Sequence, residues 1–364
     1  MNHFSHDKHT ALQAKQEAQR IAFGPFIFQA AKAMRDLGVL SAVEAAGDEG
    51  LALDAIEART GLSRYAARVL AEAGLGIGAL VLDGDRFVLT RLGWYLLNDR
   101  MTQVNMDFTQ DVNYKGLFHL QDSLREGRPA GLKELAPDAG TIYEALATLP
   151  QQARESWFNF DHYYSDNSFQ TVLPIIFSQP VASVLDVGAN TGKWAIACAG
   201  HDPDVRVTMC DLPGQLAQAR AHIHARGLAD RVAEYPIDIL RPDTALPDGH
   251  DVIWMSQFLD CFSEDEIVMI LRKAARVMTP ATRLYIMETY WDRQRFENAA
   301  FCLQQTSLYF TCMANGNSQM YHSSVLHQCI ERAGLVVAEE VDGVGISHTV
   351  TQVVKPVQAP ACAA

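Results

Sequence analysis

The sequence predicts a two-part α/β protein: a helical domain containing a winged helix, followed by an open, mostly parallel, Rossmann-like sheet. Three observations predict it. From Val181 onward, short apolar runs alternate with helical segments, the rhythm of βα units in a parallel sheet. The first of those runs ends in a glycine-rich turn, Asp186-Val187-Gly188-Ala189-Asn190-Thr191-Gly192, that leads into a helix. Before residue 105, two short helical segments precede a tight hairpin pattern. At 364 residues the chain suits two domains rather than one.

Taken in order, residues 11–45 read as helix interrupted at Gly24-Pro25, since proline removes an N–H. Leu12, Ile21, Phe26, Ile27, Ala30, Met34, Leu37 and Leu40 recur at helical spacing, and Gly38 is a stop signal. The Ile27-Phe28 side is unusually apolar, so a partner subunit or the rest of the chain must cover it. Residues 51–60 and 63–75 read as helices joined by Gly61-Leu62, with Ser63 as an N-cap. Residues 79–82 and 86–89 flank the turn Asp83-Gly84-Asp85 as a β-hairpin, completing a winged helix over residues 1–105. Such a unit binds DNA or serves as a dimerisation scaffold. Its second helix carries two arginines and is otherwise largely apolar, which favours the scaffold, because reading base edges needs polar side chains.

Residues 106–175 read as a helical connector lining a substrate pocket. Strands are expected near 183–187, 205–210, 231–236, 250–255, 283–288, 336–341 and 347–354, the last two close enough to pair as an antiparallel hairpin. That makes a seven-stranded sheet over residues 176–355, with residues 356–364 as a disordered tail.

Composition narrows the partners. A net charge of −13 without a Lys/Arg cluster argues against nucleic acid and for a small molecule. The absence of any apolar run approaching ~18 residues, or of a signal-peptide core, predicts a cytoplasmic protein off the membrane. Seven cysteines without a CxxC pair argue against disulfides and structural zinc. No His/carboxylate spacing suits a metal, so metal-free chemistry is expected.

The glycine turn narrows the cofactor. Gly188 and Gly192 let backbone amides approach a ligand, and Asp186 ends the first strand, where open α/β sheets bind. The spacing is GxxxG, without the middle glycine of a dinucleotide turn, and it begins with an acid. An acid suits an ammonium and repels a pyrophosphate, favouring S-adenosylmethionine (SAM) over NAD. Asp211, with Leu212 after it, ends the second strand where a ribose would bind. Asp238 ends the third, within reach of an adenine amino group.

On these motifs, the chain resembles the class I SAM-dependent small-molecule O-methyltransferases, the group of the caffeate and hydroxyindole enzymes, over nearly its whole length. The resemblance implies that Asp186, Gly188 and Gly192 hold the methionine part of SAM, Asp211 and Leu212 the ribose, and Asp238 the adenine. It also implies a homodimer in which one subunit's N-terminal domain helps wall the other's substrate pocket. The segment from Phe160 to Phe169, FDHYYSDNSF, is similar to a family helix facing the substrate. Tyr164 stands where the family has a methionine on the substrate ring, His162 lies on the same stretch, and Ser168 matches a serine near the cofactor.

The chain departs from the family at the catalytic signature L-H-D-W-x-D, which here reads Phe258-Leu259-Asp260-Cys261-Phe262-Ser263. Asp260 replaces the family's catalytic histidine, Cys261 the following acid, and Ser256 a lysine on the adenine. An unperturbed aspartate near pKa 3.9 is a weaker base than a histidine near 6.5 by about three units, roughly 3–4 kcal/mol of proton-transfer driving force. Burial between Phe258 and Phe262 can restore part of that. Otherwise Asp260 is an acid in the cap region of the next helix. Glu288 matches the glutamate that orients the family histidine. His322 is a backup base or a helix cap, while Phe258 and Cys261 line the pocket.

The sequence therefore predicts a homodimeric methyltransferase moving a methyl from SAM to a phenol-type aromatic acceptor, leaving S-adenosylhomocysteine. O-methylation comes first. C-methylation of a phenolic ring is the alternative, since YYSDNSF with SQFLDCFS is similar to bacterial relatives associated with aryl polyene pigments. Two others stay open: a SAM-binding member with non-methyltransferase chemistry, and a winged-helix DNA-binding regulator.

Overall fold

A computed structural model describes residues 3–356. The chain forms two compact units, Phe4–Thr109 and a second from Gln110 onward that also takes in His3.

In the N-terminal unit, Thr10 and Gln13 form a capping box that starts the helix Ala11–Ala22, none of whose residues is buried. The expected break falls at Gly24-Pro25, where Pro25 sits in the first turn of the next helix, Gly24–Asp36. Gly38, at φ +78°, then caps the buried helix Val39–Glu44. Ser63 accepts from the Ala66 N–H and begins the helix Arg64–Ile77. The expected helix 51–60 is shorter than its sequence pattern. Leu51–Ala52 form a short strand, β1, and the helix begins at Leu53. Gly50 decides this: at φ +61° it turns the chain so that Leu51 pairs with Phe87, and a Cβ there would lie 2.8 Å from the Phe87 carbonyl. With β2 (Leu80–Asp83) and β3 (Arg86–Leu89), β1 completes a three-stranded sheet in the order β1-β3-β2.

The second unit is organised around seven strands: β4 (Ser183–Val187), β5 (Arg206–Asp211), β6 (Val232–Pro236), β7 (Val252–Ser256), β8 (Arg283–Glu288), β9 (Val336–Val344) and β10 (His348–Val354). Their order is β6-β5-β4-β7-β8-β10-β9, parallel except for β10. Alternate residues of β7 and β8 serve opposite faces: Ile253, Met255, Leu284 and Ile286 join one core cluster, and Val252, Trp254, Tyr285 and Met287 the other. Both faces are thus covered, as the continuous apolar strands required. β9 reaches Val344, past the expected end at 341, because the turn is only Gly345–Ser347.

Residues 110–176 are packed into this same unit. Short helical turns and the seven-residue helix Leu120–Glu126 occupy the segment up to Ala145, where Gly116 and Gly131 pack so closely that a Cβ on Gly131 would lie 2.4 Å from the Gly116 carbonyl. Two regular helices, Gln151–Ser165 and Phe169–Ile176, follow. After β10, the Lys355 ammonium donates to the Ala275 and Met278 carbonyls. The expected disordered tail lies, beyond residue 356, outside the described residues. Strand order reverses at β4, so the carboxyl ends of β4, β5, β7 and β8 open onto one crevice, where such sheets bind ligands.

Candidate functional site

The glycine turn after β4 has the conformation its sequence demands. Gly188 and Gly192 adopt φ +81° and +77°, and Asn190 also lies in the left-handed region, at φ +48°. Gly188 has a second reason to lack a side chain, since a Cβ would come 2.4 Å from the Phe258 ring. Phe258, expected to face substrate, therefore covers the glycine turn, with Phe262 edge-on to it at 4.9 Å.

Two acids lie close to this turn in the chain or in space. Asp186 is buried on β4, and its Oδ2 has no partner. Burial, followed by the nearby Asp211, pushes its carboxyl well above the usual range. Asp211, at the end of β5, accepts from the Asn190 N–H at 2.8 Å and the Leu212 N–H at 2.7 Å. Burial outweighs those bonds and raises it to about 6. Asp238 lies past the end of β6, exposed, where it accepts from the Leu240 N–H.

The candidate catalytic stretch follows β7. Gln257 is forced to φ +45°, an uncommon conformation for a side chain of its size, and the chain then enters a 3₁₀ turn, Leu259–Cys261. Glu288 at the end of β8 holds that turn: its Oε1 accepts from the Phe258 N–H at 3.0 Å and the Leu259 N–H at 2.8 Å. Asp260 is left buried, with the Cys261 thiol 3.5 Å from its Oδ1. Burial raises Asp260 to about 7, with Asp161 adding to the rise. Glu288 is also driven well above its ordinary value, by burial and then by Asp260. Asp260 does not cap the next helix; Ser263 does, in a capping box with Glu266.

Sequence reasoning missed several groups here. Tyr143 lies beside the Cys261 thiol, and Tyr309, within electrostatic reach of Asp260 and Asp161, accepts a 2.7 Å bond from Trp157 Nε1. Burial keeps both phenols, and the Cys261 thiol, protonated well past neutrality. Neither tyrosine sits in a recognisable motif; tertiary packing alone brings them to the site. Asp161 and Asn190 were also missed, though each lies inside a segment the motifs had singled out.

The remaining expected residues are placed as follows. Ser168 is fully buried against the β9–β10 hairpin, its Oγ 3.1 Å from His348 Nδ1, and a Cβ on Gly345 would come 2.7 Å from it. Burial lowers His348 to about 4, so its ring is neutral at ordinary pH. His322 caps the helix Ser323–Arg332 by accepting from the Ser324 N–H, with Trp291 and Asp292 beside it. His162 is turned towards the glycine turn, its Nε2 3.4 Å from Thr191 Oγ1. The Tyr164 ring packs edge-on against Phe160 and Tyr163.

Asp186 Oδ2, Ser256 Oγ, Gln257 Oε1 and Glu288 Oε2 are all buried acceptors without partners at these strand ends. Such atoms are costly unless a ligand satisfies them. They suit N–H donors and positive charge, which the ammonium and sulfonium of SAM provide, and they would repel a pyrophosphate. Among the described residues no group of three or more His, Cys, Asp or Glu side chains could hold a metal, and no helix is long and apolar enough to cross a membrane.

Comparison with known proteins agrees with this geometry. Residues 15–87 match the Dimerisation2-like domain, and residues 118–335 the O-methyltransferase domain. The L-tyrosine C(3)-methyltransferase of Streptomyces lavendulae is 23% identical over 317 residues, covering 86% of this chain and 85% of that protein. The aclacinomycin 10-hydroxylase RdmB of Streptomyces purpurascens is 28% identical over 215 residues, covering 58% of this chain and 52% of that protein. Among solved structures, the apo form of the S-adenosylmethionine-dependent methyltransferase SibL superposes with a TM-score of 0.70 at 25% identity, covering 93% of this chain and 98% of that one.

Proposed function

The chain belongs to the O-methyltransferase family and is a SAM-dependent methyltransferase, and from that premise we propose that it methylates the hydroxyl of a small, phenol-type aromatic acceptor. The observation that carries this reading is the buried Asp260, held at the end of β7 by the Glu288 clamp. At about 7, its carboxyl has the basicity of an ordinary histidine, about three units short of a phenol near 10. The residue that replaces the family histidine thereby regains its strength through burial.

Bound SAM supplies an electrophilic methyl on a sulfonium. Asp186, Gly188 and Gly192 would hold its methionine part, Asp211 and Leu212 the ribose, and Asp238 with Ser256 the adenine side. Asp260 would accept the proton that the acceptor's hydroxyl gives up when it takes the methyl, with S-adenosylhomocysteine as the other product. Tyr143 and Tyr309 stay neutral beside Asp260 and position the acceptor oxygen as hydrogen-bond donors. Glu288 acts through the loop it clamps, as a positioning residue. The pocket groups contribute chiefly orientation, which is where much of the barrier reduction in such a displacement arises. The N-terminal unit serves a homodimer.

Incubation with SAM and a panel of phenols, read by mass spectrometry, tests this. S-adenosylhomocysteine should accumulate one for one with methylated product, and the D260N variant should form neither at a comparable rate. Turnover unchanged in that variant would remove Asp260 as the base.

C-methylation is the second reading, favoured by the Streptomyces relative named for the ring carbon of L-tyrosine. A carboxylate accepting from a phenol OH pushes electron density into the ring, so the same Asp260 would serve it. The methyl proton shift of the product, aryl ether or aryl methyl, decides between the two.

A further inference from the structure

Resting on the cofactor reading above, we propose that Asn190 is a positioning residue that couples cofactor binding to the order of the aromatic helix bearing Asp161, His162 and Tyr164. Asn190 has three polar functions pointing three ways. Its backbone N–H is given to Asp211, the acid at the end of β5. Its Nδ2 donates to Asp161 Oδ2 at 3.1 Å, on the helix Gln151–Ser165. Its Oδ1 is buried without a partner. A carboxylate accepts and does not donate, so the NH2 end of the amide must face Asp161, and the oxygen must face away from it.

The conformation of Asn190 adds to the case. At φ +48° it occupies a region that glycine enters without strain, midway between two glycines, Gly188 and Gly192, that do so. Asparagine is among the few other residues that tolerate it. A side chain is nevertheless present at this position, and it is the one that reaches across to Asp161.

The contact is not isolated. Thr191 Oγ1 lies 3.4 Å from His162 Nε2, and the Lys193 ammonium pairs with the Asp166 carboxylate. Residues 190–193 and 161–166 are thus joined at three points along their length. The Lys193–Asp166 pair is partly exposed and adds little by itself. Asn190 is the member with an acceptor still to be satisfied. A donor group of the bound cofactor that meets its Oδ1 fixes the amide plane, which fixes Nδ2 on Asp161. The helix presenting Tyr164 is then held more firmly once the cofactor is in place, so that the cofactor precedes the acceptor.

The test uses S-adenosylhomocysteine as the probe, with calorimetry for affinity and hydrogen exchange over residues 151–168 for order. In the wild-type protein the probe should bind and slow exchange across that segment. N190G, which keeps the backbone N–H and the left-handed φ, should lose about tenfold in affinity, the worth of one hydrogen bond, and all of the added protection. D161A should bind the probe nearly as tightly as wild type but lose the protection. The reciprocal exchange, D161N with N190D, reverses donor and acceptor while keeping an oxygen at position 190, and should restore it. That double variant also covers the case in which D161A fails to fold. Equal protection in wild type, N190G and D161A, or no recovery in the exchange, would overturn the proposal and leave the cofactor assignment standing. No binding of the probe to the wild-type protein would remove both.

Discussion

At the scale of single residues, the chain is defined by one substitution and its environment. An aspartate where the family has a histidine would be too weak a base if exposed. Burial, chiefly, lifts Asp260 to about 7. In the role proposed for it, Asp260 must be deprotonated to work, so kcat/KM should rise with pH and level off above about 7, and D260N should lower it by about 10²-fold or more while flattening that rise. A profile already flat at pH 5 would show that another group is the base. The same shifts bear on stability. Asp211 and Asp260 hold protons in the folded state that the unfolded chain has released near pH 3.8. Between about pH 4 and 7 the folded state therefore binds more protons, and stability falls as pH rises. The ligand-free protein should accordingly melt lower at pH 8 than at pH 5, and S-adenosylhomocysteine, whose ribose hydroxyls would donate to the Asp211 carboxylate, should raise Tm more at pH 8. Glu288 has a separable role. E288A leaves the Phe258 and Leu259 N–H groups without their acceptor and should cost about 2–4 kcal/mol in a denaturation midpoint. E288Q, whose amide oxygen can still accept from both, should lose much less.

At the scale of elements, the turn after β4 is the most constrained piece of backbone in the site. Gly188 combines a left-handed φ with the Phe258 ring at 2.4 Å from any added Cβ. G188A should therefore displace Phe258 and the Leu259–Cys261 turn with it, abolishing S-adenosylhomocysteine binding in calorimetry while the far-ultraviolet spectrum stays native. Retained affinity would mean that the turn has more room than its geometry indicates. Elements of this kind were legible in the sequence because glycine spacing and strand-end acids are local. The winged helix was legible for the same reason, with an exception at Leu51-Ala52. Their apolar character fitted the start of a helix, and only the partner Phe87 on β3 made them a strand. Ser168 is a comparable case. Its motif singled it out, but the hairpin that folds over it, through Gly345 and His348, comes from far along the chain.

At the scale of the whole molecule, the helix Ala11–Ala22 buries none of its residues, and Ile21, Phe23 and Phe26 are exposed around the Gly24-Pro25 break. The same stretch lies in and around the region matching the Dimerisation2-like domain, which begins at residue 15. Native mass spectrometry should find two chains, and I21E with F26E should shift the assembly to one chain, since each would bury a charge in the interface. A wild-type protein that is monomeric at micromolar concentration would assign those apolar residues to another partner.

The sequence by itself determined the order of strands and helices, the glycine turn, the acids at three strand ends and the replacement of the expected base. These are matters of period and spacing, which the local chemistry of the backbone imposes on any chain that folds this way. Only the tertiary structure decided what those residues are worth. It buried Asp260 and so set its basicity, gave Glu288 two N–H groups to hold, brought Tyr143 and Tyr309 to the same place, and left His322 as a cap. Desolvation and cross-chain hydrogen bonding depend on which distant segments meet, and no local pattern encodes that.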